Sequence, residues 1–221
     1  MEETYLKPAY LVESDSPEVE VFASEAASGS TTDSDIAIKL YNAVRDAITY
    51  DPYQDFRKES TFSAKDALNR GRGFCIPKAA LLAACARAQN IPARLGFADV
   101  KNHLASKRMI DACNGDVFRW HAYCELFIAD KWVKATPAFD RKLCERTGLT
   151  PLEFDGRNDS IFHSFDNNRR HMEYLNYHGL FAGVPYQQII STWEKLSPGL
   201  LDKKYLAGSA SFSDDLESDK P

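Results

Sequence analysis

The chain has 221 residues, of which 44% are hydrophobic and 27% charged, with a net charge of −5. That length accommodates one core, and the composition excludes collagenous, fibrous and largely disordered classes. No run approaches the roughly 20 apolar residues of a membrane span, the acidic start Met-Glu-Glu-Thr-Tyr argues against a secretory leader, and no basic stripe marks a nucleic-acid partner.

Residues 1–22 read as extended, anchored by Val19, Val21 and Phe22, with a Ser/Ala/Thr/Gly-rich surface connection from Ala23 to Asp35. A helix is expected from Ser34 or Asp35, because Ile36, Leu40, Ala43, Val44, Ala47 and Ile48 recur at helical spacing. It ends before Pro52, and a short helix over Ser63–Asn69 follows. Gly71 and Gly73 then lead into Phe74-Cys75 and a helix over Ile76–Gln89. The centre of that helix, Ala79 to Ala86, is apolar on every side, so it belongs in the interior.

Arg94 to Val100 reads as a strand. Between Trp120 and Ile128 the even positions form an apolar face and His121, Tyr123, Glu125 and Phe127 the other. Ala129-Asp130 as a two-residue turn pairs Ile128 with Lys131, Phe127 with Trp132 and Glu125 with Lys134. Carried further, that register sets Ala138 across from His121, with Thr136 and Asp140 as diagonal neighbours. Helices are expected over Arg141–Thr147, Asn167–Tyr177 and Tyr186–Leu196. The acidic, Ser-rich residues 209–221 read as a disordered tail. The expected organisation is one domain over residues 1–208, with a core of about 35–140 and a helical elaboration over 141–208.

Cysteines stand at 75, 85, 113, 124 and 144, an odd number without a CxxC pair. A disulfide framework or zinc ribbon is therefore not expected, and a reducing, cytoplasmic setting is. Four of the five read as small buried hydrophobes. Cys75 differs, because a helix start offers unpaired N–H groups that lower a thiol pKa and receive a developing oxyanion. His121 is the candidate base, on a strand whose hairpin partner brings an orienting oxygen. His103 reads as a loop cap, and Asn69 and Trp120 as packing residues or oxyanion donors. His163, His171 and His178, with Asp159 and Asp166, match no metal-ligand spacing, so neither a metal nor another cofactor is expected.

The segments "AKDALNRGRGFCIPKAALLAACARAQNIPARLGF" and "WHAYCELFIADKWVKATPAF" resemble the transglutaminase-like superfamily over about Asp35 to Phe139. The resemblance implies an α+β, papain-like architecture, a helical layer bearing Cys75 packed on an antiparallel sheet bearing His121. It also implies acyl transfer or amide hydrolysis on protein or peptide amides through a thioester. One position departs from the family pattern: the aspartate that precedes the proline is Thr136 here. A hydroxyl accepts the imidazole N–H but lacks the carboxylate charge, so Asp140 is the preferred partner of His121 and Thr136 the alternative. The rival reading is a non-catalytic binding module that keeps the fold with a degraded triad.

Overall fold

The computed structural model describes residues 3–102, 105–161, 172–206 and 211–219. Its first long element is a helix, α1 (Pro17–Ala27), which corrects the expectation of an extended start. Ser16 caps it by accepting the Val19 N–H at 3.4 Å, and Pro17 stands at its first turn. The Val-Glu-Val alternation imitates a strand, but only Val19 is buried there, while Val21 is 56% exposed.

Helix α2 (Asp33–Ala47) starts on a Thr32 cap, and β1 (Thr49–Tyr50) follows it. Helix α3 (Ala64–Arg70) ends on Gly71, whose φ of +64° is left-handed backbone that glycine adopts without strain. The short β2 (Arg72–Gly73) pairs in parallel with β1, matching Tyr50 to Gly73, and so sets Tyr50 beside the loop that delivers Cys75. Helix α4 (Cys75–Ala88) is buried on all sides from Ile76 to Arg87, as its sequence requires. Helices α1 to α3 cover one side of it and the sheet covers the other.

The sheet contains β3 (Ala93–Asn102), β4 (Val117–Ile128), β5 (Lys131–Ala135) and, after the short helices α5 (Lys107–Cys113) and α6 (Arg141–Thr147), β6 (Met172–Phe181). Its order is β5-β4-β3-β6, and every pairing is antiparallel. The β4–β5 hairpin has the expected register, Phe127 against Trp132 and Glu125 against Lys134. The aromatic pair meets edge-on at 5.3 Å. The charges distribute differently: Glu125 pairs at 2.7 Å with Arg94 on the neighbouring β3, and Lys134 with Asp159 at 3.7 Å.

Two further expectations change. Met172 to Tyr177 is strand rather than helix, because the open edge of β3 supplies it with hydrogen-bond partners. Asn167 to His171, the start of that expected helix, lies outside the described residues. After α7 (Tyr186–Leu196) and α8 (Lys203–Leu206) comes α9 (Phe212–Ser218), where a disordered tail was expected. Ser211 and Asp214 form a capping box at its start. Phe212, only 3% exposed, lies against Tyr50 and Phe139, so one aromatic anchor docks an otherwise acidic segment.

Three buried basic side chains tie loops to this frame. Lys78 donates to the carbonyls of Arg45, at 2.9 Å, and Ile48, both at the end of α2. Arg87 donates to the carbonyls of Lys7, Ala93 and Ala182. Arg45 reaches the Leu152 carbonyl and the carboxylates of Asp46 and Glu153. Each satisfies main-chain acceptors that water does not reach.

Candidate active site

The first residue of α4 is Cys75, capped by the extended Phe74. Its sulfur faces a cavity of about 70 Å³ whose walls include His121 and Thr136. Most of the remaining wall is apolar, with Phe74, Val100, Phe118, Trp120, Phe139 and Met172 among the contributors. Three of the four sequence-selected residues therefore meet in one place. Asp140 is absent from the wall.

Strand β4 supplies more than the histidine. The backbone N–H of Ala122, next to His121, faces the Cys75 sulfur together with the N–H groups of Ile76 and of Cys75 itself. All three lower the thiol pKa, but burial outweighs them and pushes it up to about 11. The N–H groups of the helix start lower the thiol pKa as expected, but a thiolate loses more in desolvation than these dipoles return. At neutral pH the resting group is the thiol, and its use as a nucleophile requires a base. Burial likewise pushes Cys113 up to about 12 and Cys144 to about 11, and Cys85 and Cys124 higher still. All five cysteines are free.

Strand β5 ends at Ala135, paired with Cys124, so the ladder stops short of Ala138 and Asp140. Beyond it the Thr136 N–H donates to the Ser160 carbonyl at 3.0 Å and its carbonyl accepts the Tyr41 hydroxyl at 3.2 Å. Thr136 is held there with its side chain buried. Asp140 becomes the N-cap of α6, one oxygen accepting the Leu143 N–H at 3.0 Å and the other the Tyr50 N–H at 2.8 Å. Pro137 and the helix start turn the chain away from the strand direction on which the diagonal position of Asp140 depended.

Sequence reasoning did not single out Tyr174. From β6 its ring stands edge-on to His121, with centroids 5.9 Å apart, and its buried hydroxyl faces the Thr136 side chain. Burial raises its pKa far above the ordinary phenol value. No local signal marks it, because its position follows from β6 joining the edge of β3. Gly96 on β3 helps to form this aromatic layer: a Cβ there would lie 2.1 Å from the Tyr123 ring, which instead crosses the strand to meet Tyr174.

Of the remaining candidates, Asn69 lies at the exposed end of α3. The Trp120 indole N–H is occupied by Thr192 Oγ1 at 3.0 Å. His103, His163, His171 and Asp166 lie outside the described residues. Among the described residues no three His, Cys, Asp or Glu side chains are grouped to hold a metal ion, and no helix is long and apolar enough to cross a membrane.

Residues 20–137, more than half of the chain, match the family model of the transglutaminase-like superfamily. The chain belongs to that superfamily, and its α+β fold is the one this membership implies. Among solved structures it is similar to a "putative cysteine protease" from Cytophaga hutchinsonii, with 21% identity and a TM-score of 0.44 over 60% of this chain and 40% of that one. A "putative protease" from Parabacteroides distasonis gives 19% identity and a TM-score of 0.42, over 57% and 24% of the two chains. A structure described as a TGase gives 14% identity and a TM-score of 0.42, over 93% and 51%. The chain thus spans about half or less of the length of these structures. No curated protein sequence matches it significantly.

Proposed function

We propose that the protein is a cysteine-dependent amidase or acyltransferase acting on protein or peptide amides, in a reducing, cytoplasmic setting. The observation that carries this reading is the meeting of Cys75, at the start of α4, with His121 in one cavity, the N–H of Ala122 turned to the sulfur. His121 takes the thiol proton as the sulfur attacks the amide carbon. Backbone N–H groups at the α4 start receive the oxyanion. The C–N bond then breaks, the departing amine or ammonia takes the proton from His121, and a thioester remains. Water resolves it to an acid, or a second amine to a new amide, with His121 again as the base.

Because both Asp140 oxygens are engaged by main-chain N–H groups, the orienting oxygen in this proposal is the Thr136 hydroxyl, backed by Tyr174. Without a carboxylate the imidazolium gains less stabilisation, so slow turnover is expected. The same feature favours a second reading, a binding module that has lost its chemistry.

The two are separated by iodoacetamide labelling at near-stoichiometric ratio, mapped by mass spectrometry, alongside release of ammonia from a glutamine-containing peptide. The enzyme reading expects Cys75 to label first, with His121→Ala slowing it and Cys75→Ala abolishing turnover. Preferential labelling of Cys113 or Cys144, or labelling of Cys75 indifferent to His121, contradicts it.

A further inference from the structure

We propose that Asp99 and His178 are positioning residues that lock a strained bulge in β4 and thereby aim His121 at Cys75. The proposal rests on the Cys75–His121 reading above.

Strand β4 is irregular immediately before the histidine. Ala98 pairs with His121, but Val100 pairs with Phe118, so Asp99 alone faces Arg119 and Trp120. The extra residue makes a β-bulge, a device that re-aims side chains. Within it Trp120 has a φ of +63°. A bulky side chain in the left-handed region is an outlier that costs on the order of 1–3 kcal/mol and persists only where its surroundings over-determine it.

Here they do so from three directions. The Asp99 carboxylate accepts the Trp120 backbone N–H at 3.2 Å. His178 Nε2 hydrogen-bonds the same Asp99 oxygen at 2.6 Å, and its ring lies parallel to the Trp120 indole, 4.2 Å away and tilted by 10°. Thr192 holds the indole N–H from α7. Strand β6 is bulged here too, its register against β3 shifting between Phe97 and Ala98 and between Asp99 and Val100. That shift brings His178 in over the Trp120 ring. Asp99 and His178 are each less than one-fifth exposed, and no step of the reaction uses either.

Regularising the strand shows what the lock prevents. If the Val100–Phe118 register continued without a bulge, Ala98 would face Trp120 and Phe97 would face His121. A one-residue slip sends a side chain to the other face of the sheet. The imidazole would leave the cleft, and the Ala122 N–H would leave the sulfur.

The test compares the pH profile of Cys75 alkylation, read residue by residue by mass spectrometry, in Asp99→Ala, Asp99→Asn, His178→Phe and His121→Ala full-length proteins, with melting temperature measured in parallel. Asp99→Ala is expected to slow Cys75 alkylation at neutral pH about tenfold, a displacement of around an ångström being enough for such a loss, and to remove the inflection that His121→Ala removes. Asp99→Asn keeps an acceptor for the Trp120 N–H and is expected to stay within about threefold of the parent. His178→Phe keeps a ring over Trp120 but loses the bond to Asp99, and should fall between them. The proposal is overturned if Asp99→Ala lowers the melting temperature yet keeps the inflection, or if Asn fails to rescue. If His121→Ala itself leaves the profile unchanged, the Cys75–His121 reading has failed and the positioning role with it. Loss of the inflection in His121→Ala but not in Asp99→Ala refutes the positioning role alone.

Discussion

Replacing Phe212 with alanine tests whether one aromatic side chain docks the acidic C-terminal helix. The ring is 3% exposed and lies 5.3 Å from Tyr50 and 6.2 Å from both Tyr53 and Phe139. Burial of a phenylalanine is worth about 1.5–3 kcal/mol, and its truncation in a fixed core costs about 3–5. A seven-residue helix docked mainly through one ring can undock instead of keeping a hole, so the loss is capped by the docking free energy and the lower figure applies. We expect about 2–3 kcal/mol, which for a chain of this size lowers the melting temperature by roughly 4–12 °C. The polar contacts add little. Arg146 meets Asp214 at 2.5 Å and Glu217 at 2.8 Å, but each of these side chains is more than 40% exposed, and such pairs contribute about 0–1 kcal/mol. Thermal and urea melts of Phe212→Ala, Phe212→Leu, Arg146→Ala and a chain ending at residue 210 resolve the contributions. Phe212→Ala should approach the truncated chain, while Phe212→Leu and Arg146→Ala stay near the parent. A Phe212→Ala protein within about 0.5 kcal/mol of the parent would refute the docking argument.

Thr136→Val and Asp140→Ala should separate chemistry from stability. The first lowers Cys75 alkylation and turnover with little change in melting. The second loses a helix cap and the partner of a buried N–H, about 1–3 kcal/mol, and leaves the alkylation inflection in place; urea melts beside the alkylation profile decide it. Lys78 should make stability depend on pH. Burial lowers its pKa from 10.5 to about 7, so above pH 7 the unfolded chain holds a proton that the folded chain has released, and stability rises with pH through that window. The full difference is about 5 kcal/mol between the two pKa values. Urea melts at pH 7, 8 and 9 should show the parent gaining more than 1 kcal/mol per unit relative to Lys78→Met, and equal slopes would contradict the assignment.

Local sequence was sufficient where the physics is local. The apolar run of α4 allows only a buried helix, the Ala129-Asp130 turn fixes the hairpin register, and Arg141–Thr147 and Tyr186–Leu196 are helical as their spacing requires. Cys75 at a helix start and His121 on a strand followed from the same signals. Three outcomes depended on contacts between distant segments. Residues 172–177 became a strand because β3 had an unpaired edge, and α9 formed where Tyr50, Tyr53 and Phe139 offered Phe212 a place. Asp140 turned from the strand to cap α6 and bind the Tyr50 N–H. The thiol of Cys75 gives the same lesson in electrostatics: its helix position is written in the sequence, but the desolvation that outweighs it exists only once the sheet closes over the sulfur.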